Sequence, residues 1–178
     1  TRILSGRAFD FYVYKGKKTE EIPADERNKM PWRYLFTGNV LVPREVLKTI
    51  DFDEQFIGYG YEDIEWGIRL FSRYPIHHID NTCSHLGLVG KDVAFSRMRN
   101  SIPNFQRIEA LHPGLFYQTG AARMARIFSV LPKPLLKELD TILSRLFAVL
   151  SINILCFYLF QFDKAVLLAL ASENERDT

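Results

Sequence analysis

The period of the apolar positions changes along the chain, and each change marks an element. The opening ILSGRAFDFYVY is rich in aromatic and β-branched residues and predicts extended chain. Lys15 to Pro31 is polar and charged, broken by Gly16, Pro23 and Pro31, and reads as an exposed excursion. WRYLFTGNVLVP, Trp32 to Pro43, predicts a strand interrupted at Gly38 and Asn39, and REVLKTI after Pro43 predicts a short helix. A glycine-containing bend follows, Phe52 to Gly60. Ile64, Ile68 and Phe71 then recur at helical spacing, with an end before Pro75. IHHID predicts a short strand and NTCSHLG its exit loop. Lys91 to Leu111 has helical composition, with Pro103 as a kink or break.

After His112-Pro113-Gly114 the pattern becomes strongly helical. Leu135, Leu136, Leu139, Ile142, Leu143, Leu146, Phe147 and Leu150 form a stripe of period 3.6. It runs into the apolar stretch Leu146 to Phe160, which includes Ser151 and Asn153 and falls short of the roughly 20 residues that span a bilayer. A helical hairpin, buried or lying at an interface, is expected here. The end, SENERDT, reads as a polar, frayed tail.

Length and composition fit one sizeable core: 178 residues, 47% hydrophobic and 25% charged. A net charge of +2 is too small to imply nucleic acid. The distribution of charge says more. From His112 to Lys137 there are Arg123, Arg126, Lys133 and Lys137 and no acid, and upstream Lys91, Arg97, Arg99 and Arg107 face only Asp92 and Glu109. Such a zone suits an anionic substrate or an anionic membrane surface; scattered solvated side chains are the plainer alternative. Cys83 and Cys156 make no disulfide framework, and no charged-then-apolar leader is visible. The default expectation is a reducing, cytoplasmic setting, extended to the inner face of the cell membrane if the tail binds lipid.

The candidate chemistry lies in FDEQFIGYGYEDIEWGIRLF, Phe52 to Phe71. A helix starting near Tyr61 puts Glu62 and Asp63 in its first turn, where the positive dipole end favours anions. Ordinary helix stabilisation explains most such pairs. Asp63 and Gly67, four apart, share a face, so the glycine leaves a gap beside the acid, with Trp66 as an apolar wall. That arrangement resembles a sugar pocket. Glu65 and Arg69 form an i,i+4 pair expected to be structural. Gly58 and Gly60 supply backbone freedom for the bend. Tyr59 and Tyr61 could stack on an acceptor ring or simply cover the bend.

The longer run FTGNVLVPREVLKTIDFDEQFIGYGYEDIEWGIRL resembles the carboxyl half of the catalytic domain of family 2 glycosyltransferases: a Gly-Asn strand, a short helix, Phe-Asp-Glu, a glycine bend, Glu-Asp and an Arg-Leu helix. The resemblance extends through HHIDNTCSHLG and weakly to about His112. It implies an α/β fold, a partial GT-A (Rossmann-like) half-domain over residues 1–112, followed by an α-helical carboxyl-terminal tail over 113–178. It also implies a nucleotide-sugar donor, a saccharide or lipid-linked hydroxyl acceptor, and a divalent metal, Mn2+ or Mg2+. Asp63 would be the base that takes the acceptor proton, with Glu62 as second choice or acceptor-binding partner. Gly38 and Asn39 would lie along the donor sugar; Gly60, Tyr61 and Trp66 complete the expected binding set. His85, in Cys83-Ser84-His85-Leu86-Gly87, resembles the histidine that some GT-A enzymes give to the metal. No Asp-x-Asp occurs at a strand end, since Asp51-Phe52-Asp53 belongs to the Phe-Asp-Glu turn, so the chain reads as a fragment.

Rival readings stay open. A truncated, non-catalytic module could keep the fold and bind only a partner or a membrane. A metal-dependent hydrolase built on His77, His78, Asp80 and His85 is weaker, because strand alternation sends His77 and His78 to opposite faces. The tail itself, Pro134 to Phe162, would reach roughly 40 Å as one helix. It could lie in the plane of an anionic leaflet, pack on Lys164 to Ala171, or form a homodimer contact.

Overall fold

The computed structural model describes residues 7–116 and 119–172. The chain ends, including the polar tail from Glu173, lie outside the described residues. Within them the expected α/β half-domain is not found: they contain helices, turns and extended segments but no strand and no sheet.

Each predicted strand fails for a visible reason. Most of the described part of ILSGRAFDFYVY is helical, α1 (Asp10–Thr19), entered from a 3-10 turn at Arg7–Phe9. Its neighbours Phe11 and Tyr12 are both buried, so tertiary packing overrides their strand preference. Beyond α2 (Ala24–Arg27), Trp32 to Pro43 holds two 3-10 turns, Pro31–Tyr34 and Thr37–Asn39, the second at the Gly-Asn pair. IHHID is extended but has an asparagine where a strand partner was expected. The Asn28 amide donates to the His78 carbonyl at 2.8 Å, and its Oδ1 accepts the His78 N–H at 2.8 Å. Arg27 donates to the Ile79 carbonyl at 3.0 Å. Side chains thus satisfy backbone groups that a sheet would otherwise satisfy.

The predicted helices fare better. REVLKTI gives α3 (Arg44–Thr49) and the acidic run gives α4 (Glu62–Phe71). Lys91 to Leu111 divides at Ser101 into α5 (Lys91–Asn100) and α6 (Ile102–Leu111), with Pro103 in the first turn of α6, where its missing N–H costs nothing. After α7 (Pro113–Phe116) and α8 (Gly120–Phe128), the apolar stripe forms α9 (Lys133–Val149) and α10 (Asn153–Ser172). The expected helical hairpin forms here, α9 packing on α10 after a break at Leu150–Ile152, so no single helix runs over Pro134 to Phe162.

α10 is the hub. It packs against α8 and α9, and also against α1, α5 and α6. One apolar core therefore draws on both sides of residue 112, from Phe11 and Ile68 to Val166 and Ala169. Phe11, Phe95, Phe147 and Phe160 bring α1, α5, α9 and α10 together; Phe95 stacks on Phe147 with centroids 4.4 Å apart, and Phe11 meets Phe147 edge-on at 5.1 Å. A smaller cluster of Leu35, Ile50, Trp66 and Leu70 lies against the other side of α4. Helix α4 is thus wedged between two apolar groups, which fixes the orientation of its acidic first turn.

Candidate functional site

The bend before α4 is built from left-handed backbone. Gly58 and Gly60 have φ of 91° and 85°, and Tyr61, immediately before the helix, has φ of 77°. For a residue with a Cβ this conformation costs roughly 1–2 kcal/mol, so surrounding contacts must hold it. They come from α6 and α10. Buried Asn104 donates to the Gly60 carbonyl at 2.9 Å. Tyr61 meets Phe105 edge-on at 5.4 Å, and Lys164 Nζ sits over both rings, 5.1 Å and 5.5 Å from their centroids.

This frame delivers Asp63 to the mouth of α4. Its carboxylate is half-buried and accepts the Ile64 N–H at 2.9 Å, while Glu62 beside it is exposed. Burial, reinforced by the Glu62 charge, pushes the Asp63 carboxyl up to about 6, against the opposing effect of its backbone hydrogen bonds. A carboxylate so placed is ionised at neutral pH yet is a stronger base than an ordinary one.

The remaining expected residues are distributed differently. The gap anticipated beside Gly67 is filled: a Cβ there would lie 2.8 Å from the Trp32 carbonyl oxygen. Trp66 is 1% exposed, stacks on Phe52 at 4.6 Å and donates its indole N–H to the Ile50 carbonyl at 2.6 Å, so it secures α4 from within the core. Gly38 and Asn39 are exposed; the Asn39 amide donates to the Asn81 backbone carbonyl at 3.0 Å, and its Oδ1 accepts from the Asn81 amide at 3.1 Å. Glu65 and Arg69 form the expected pair at 2.7 Å, with His112 also 3.3 Å from the buried Glu65 carboxylate. They line a cleft of about 460 Å³ with Asp51, Phe52, Asp53 and Glu54.

His85 is exposed, its ring edge-on to Tyr12 at 6.0 Å. Burial raises the Tyr12 hydroxyl above its ordinary range, with Glu20 and Tyr59 adding to the rise and Arg97 opposing it. Arg97 in turn lies over the Tyr59 ring at 5.0 Å. Among the described residues no group of three or more His, Cys, Asp or Glu side chains could hold a metal ion. The described residues therefore do not build a metal site of three or more such ligands around His85.

Asn104 and Lys164 are the supporting residues that sequence reasoning missed. They come from other helices, and no local pattern marks them.

No family model matches the chain, and no solved structure matches it. Over 67 residues it is 36% identical to "Chondroitin synthase" of Pasteurella multocida (strain Pm70). That match takes in 37% of this chain and 7% of the relative, so the chain covers only a small part of the relative's length.

Proposed function

We propose that this chain is part of a glycosyltransferase that moves a sugar from a nucleotide-sugar donor to a hydroxyl of a saccharide or lipid-linked acceptor, in polysaccharide or glycolipid synthesis. The observation that carries the reading is the partial similarity to a chondroitin synthase. The ordered run from Phe36 to Leu70 supports the finer assignment to family 2 by its motifs rather than by its fold.

The geometry at α4 suits the chemistry. A sugar hydroxyl is a poor nucleophile, and a positioned base removes its proton as its oxygen bonds to the anomeric carbon and the nucleoside diphosphate departs. Asp63 takes that proton. Its raised pKa brings it near working pH, where general bases are most effective. Glu62, exposed beside it, accepts a hydrogen bond from the incoming acceptor.

The test is a screen of nucleotide sugars against the full-length protein, read as acceptor-dependent diphosphate release. Release with one donor, lost in Asp63→Asn, supports the proposal. A folded full-length protein that releases none with any donor and acceptor pair belongs to the non-catalytic reading.

A further inference from the structure

Exposed apolar side chains occur along much of the chain, and one set of them forms a continuous strip across two helices. On α10, Ile154, Leu155, Tyr158 and Phe162 share a helix face and are between 42 and 55% exposed. Phe162 meets Phe128 at the end of α8, centroids 6.4 Å apart, and the adjacent Ile127 is 67% exposed. The strip thus passes from one helix onto another. Arg123, one turn before Ile127 on the same exposed face of α8, places a cation at its edge, and Arg126 follows. No acid occurs between residues 112 and 137.

We propose that this strip docks on an anionic lipid surface, with α8 and the amino half of α10 lying in the plane of the headgroups. An apolar face edged by cations and free of acids is the pattern of helices that lie at a membrane interface. Each basic residue near anionic headgroups strengthens binding about fivefold. A second copy of the chain fits less well. A two-fold contact sets a patch against itself, and α8 carries Arg123 and Arg126 but no acid, so it offers a second copy no opposite charge to pair with. A spanning α10 also fits less well, although Asn153–Ala171 is long and apolar enough to cross a membrane by length and composition. Its carboxyl half buries Ala165, Val166, Leu168 and Ala169 in the core and holds Asp163 against Arg99 at 3.0 Å. Only its amino half presents an apolar face outward. This inference is independent of the sugar-transfer reading.

Flotation of the purified chain with vesicles of phosphatidylcholine, with and without phosphatidylglycerol, provides the test. The protein should float only with the anionic vesicles and should be released progressively by added salt. Arg123→Glu should weaken partition about fivefold or more. Ile127→Ser combined with Leu155→Ser should weaken it at least about tenfold, with helical circular dichroism unchanged because both positions are exposed. Equal binding to neutral vesicles, or no binding to either, overturns the proposal. So does a concentration-dependent dimer that the double variant abolishes, or vesicle-bound protein that survives an alkaline carbonate wash, the mark of a spanning helix. Diphosphate release in lipid-free solution tests the sugar-transfer reading separately.

Discussion

Asn104 on α6 donates its amide to the carbonyl of Gly60, and this bond ties the left-handed bend to the helix beneath it. Removing the donor leaves a carbonyl without its partner where the chain is already strained. Asn104→Leu should destabilise the fold by about 1–3 kcal/mol. The urea midpoint should fall with an unchanged slope. A midpoint equal to wild type would mean that water replaces the amide and that the bend does not depend on α6.

Asp63→Asn keeps the shape of the side chain and removes its basicity. Transfer should fall by about 100-fold or more, the low end for loss of a general base. The pH profile gives a second readout. Only ionised Asp63 can take a proton, so wild-type turnover should rise with pH through about 6, and the variant should lack that limb. Near-normal turnover would move the role to Glu62 or remove it.

Gly67→Ala tests whether α4 is seated as closely as its backbone indicates. The added Cβ would fall 2.8 Å from a backbone oxygen, that of Trp32, which cannot swing away as a flexible side chain can. A loss of about 1–3 kcal/mol is expected, in the range of overpacked cores. Thermal melts of the purified variant measure it, and an unchanged midpoint would show that Trp32 and α4 separate easily.

Asp163 links stability to pH. It is fully buried, with one oxygen on Arg99 and the other without a partner. Burial pushes its carboxyl up to about 7, with Asp140 adding to the rise and Arg99 opposing it. Asp140 goes the other way: burial raises it, but the bonds and charge of Arg99, at 2.5 Å, outweigh that and hold it below the ordinary range. A raised folded-state value means that the Asp163 contribution is full below about pH 4 and is lost as pH rises through about 7. Asp163→Asn, which never ionises, should therefore match wild type near pH 4 and be more stable than it at pH 8. Denaturant midpoints at the two pH values decide this, and the same difference at both would show that Asp163 ionises normally.

The helices that the sequence revealed are those with a clear apolar period of their own, even though part of each stripe, including Leu135, Ile142, Leu146 and Phe71, stays exposed. The stripe from Leu135 to Leu150 and the spacing of Ile64, Ile68 and Phe71 each produce a helix. The sheet was misread because aromatic and β-branched residues signal burial as much as pairing. Phe11 and Tyr12 are buried from a helix, and the backbone of IHHID pairs with Asn28. At the site, Gly58 and Gly60 revealed the bend, since positive φ selects glycine. Tyr61 concealed its left-handed conformation behind an ordinary side chain. Asn104 was invisible because its partner Gly60 lies 44 residues away, beyond any local period.

The place of α10 in the chain order bears on how the protein is made. Synthesis runs from the amino end, and the bend emerges long before the helix whose Lys164 lies over Tyr61. Roughly a hundred residues separate the two, so at about 5–20 residues per second the bend waits on the order of 5–20 s for that support. Until then Phe11, and Phe95 once it emerges, lack Phe147 and Phe160, and the apolar side chains they would meet remain open to any holdase nearby. Slow codons ahead of Asn153 would lengthen that exposure and raise aggregation without altering a single residue of the finished protein.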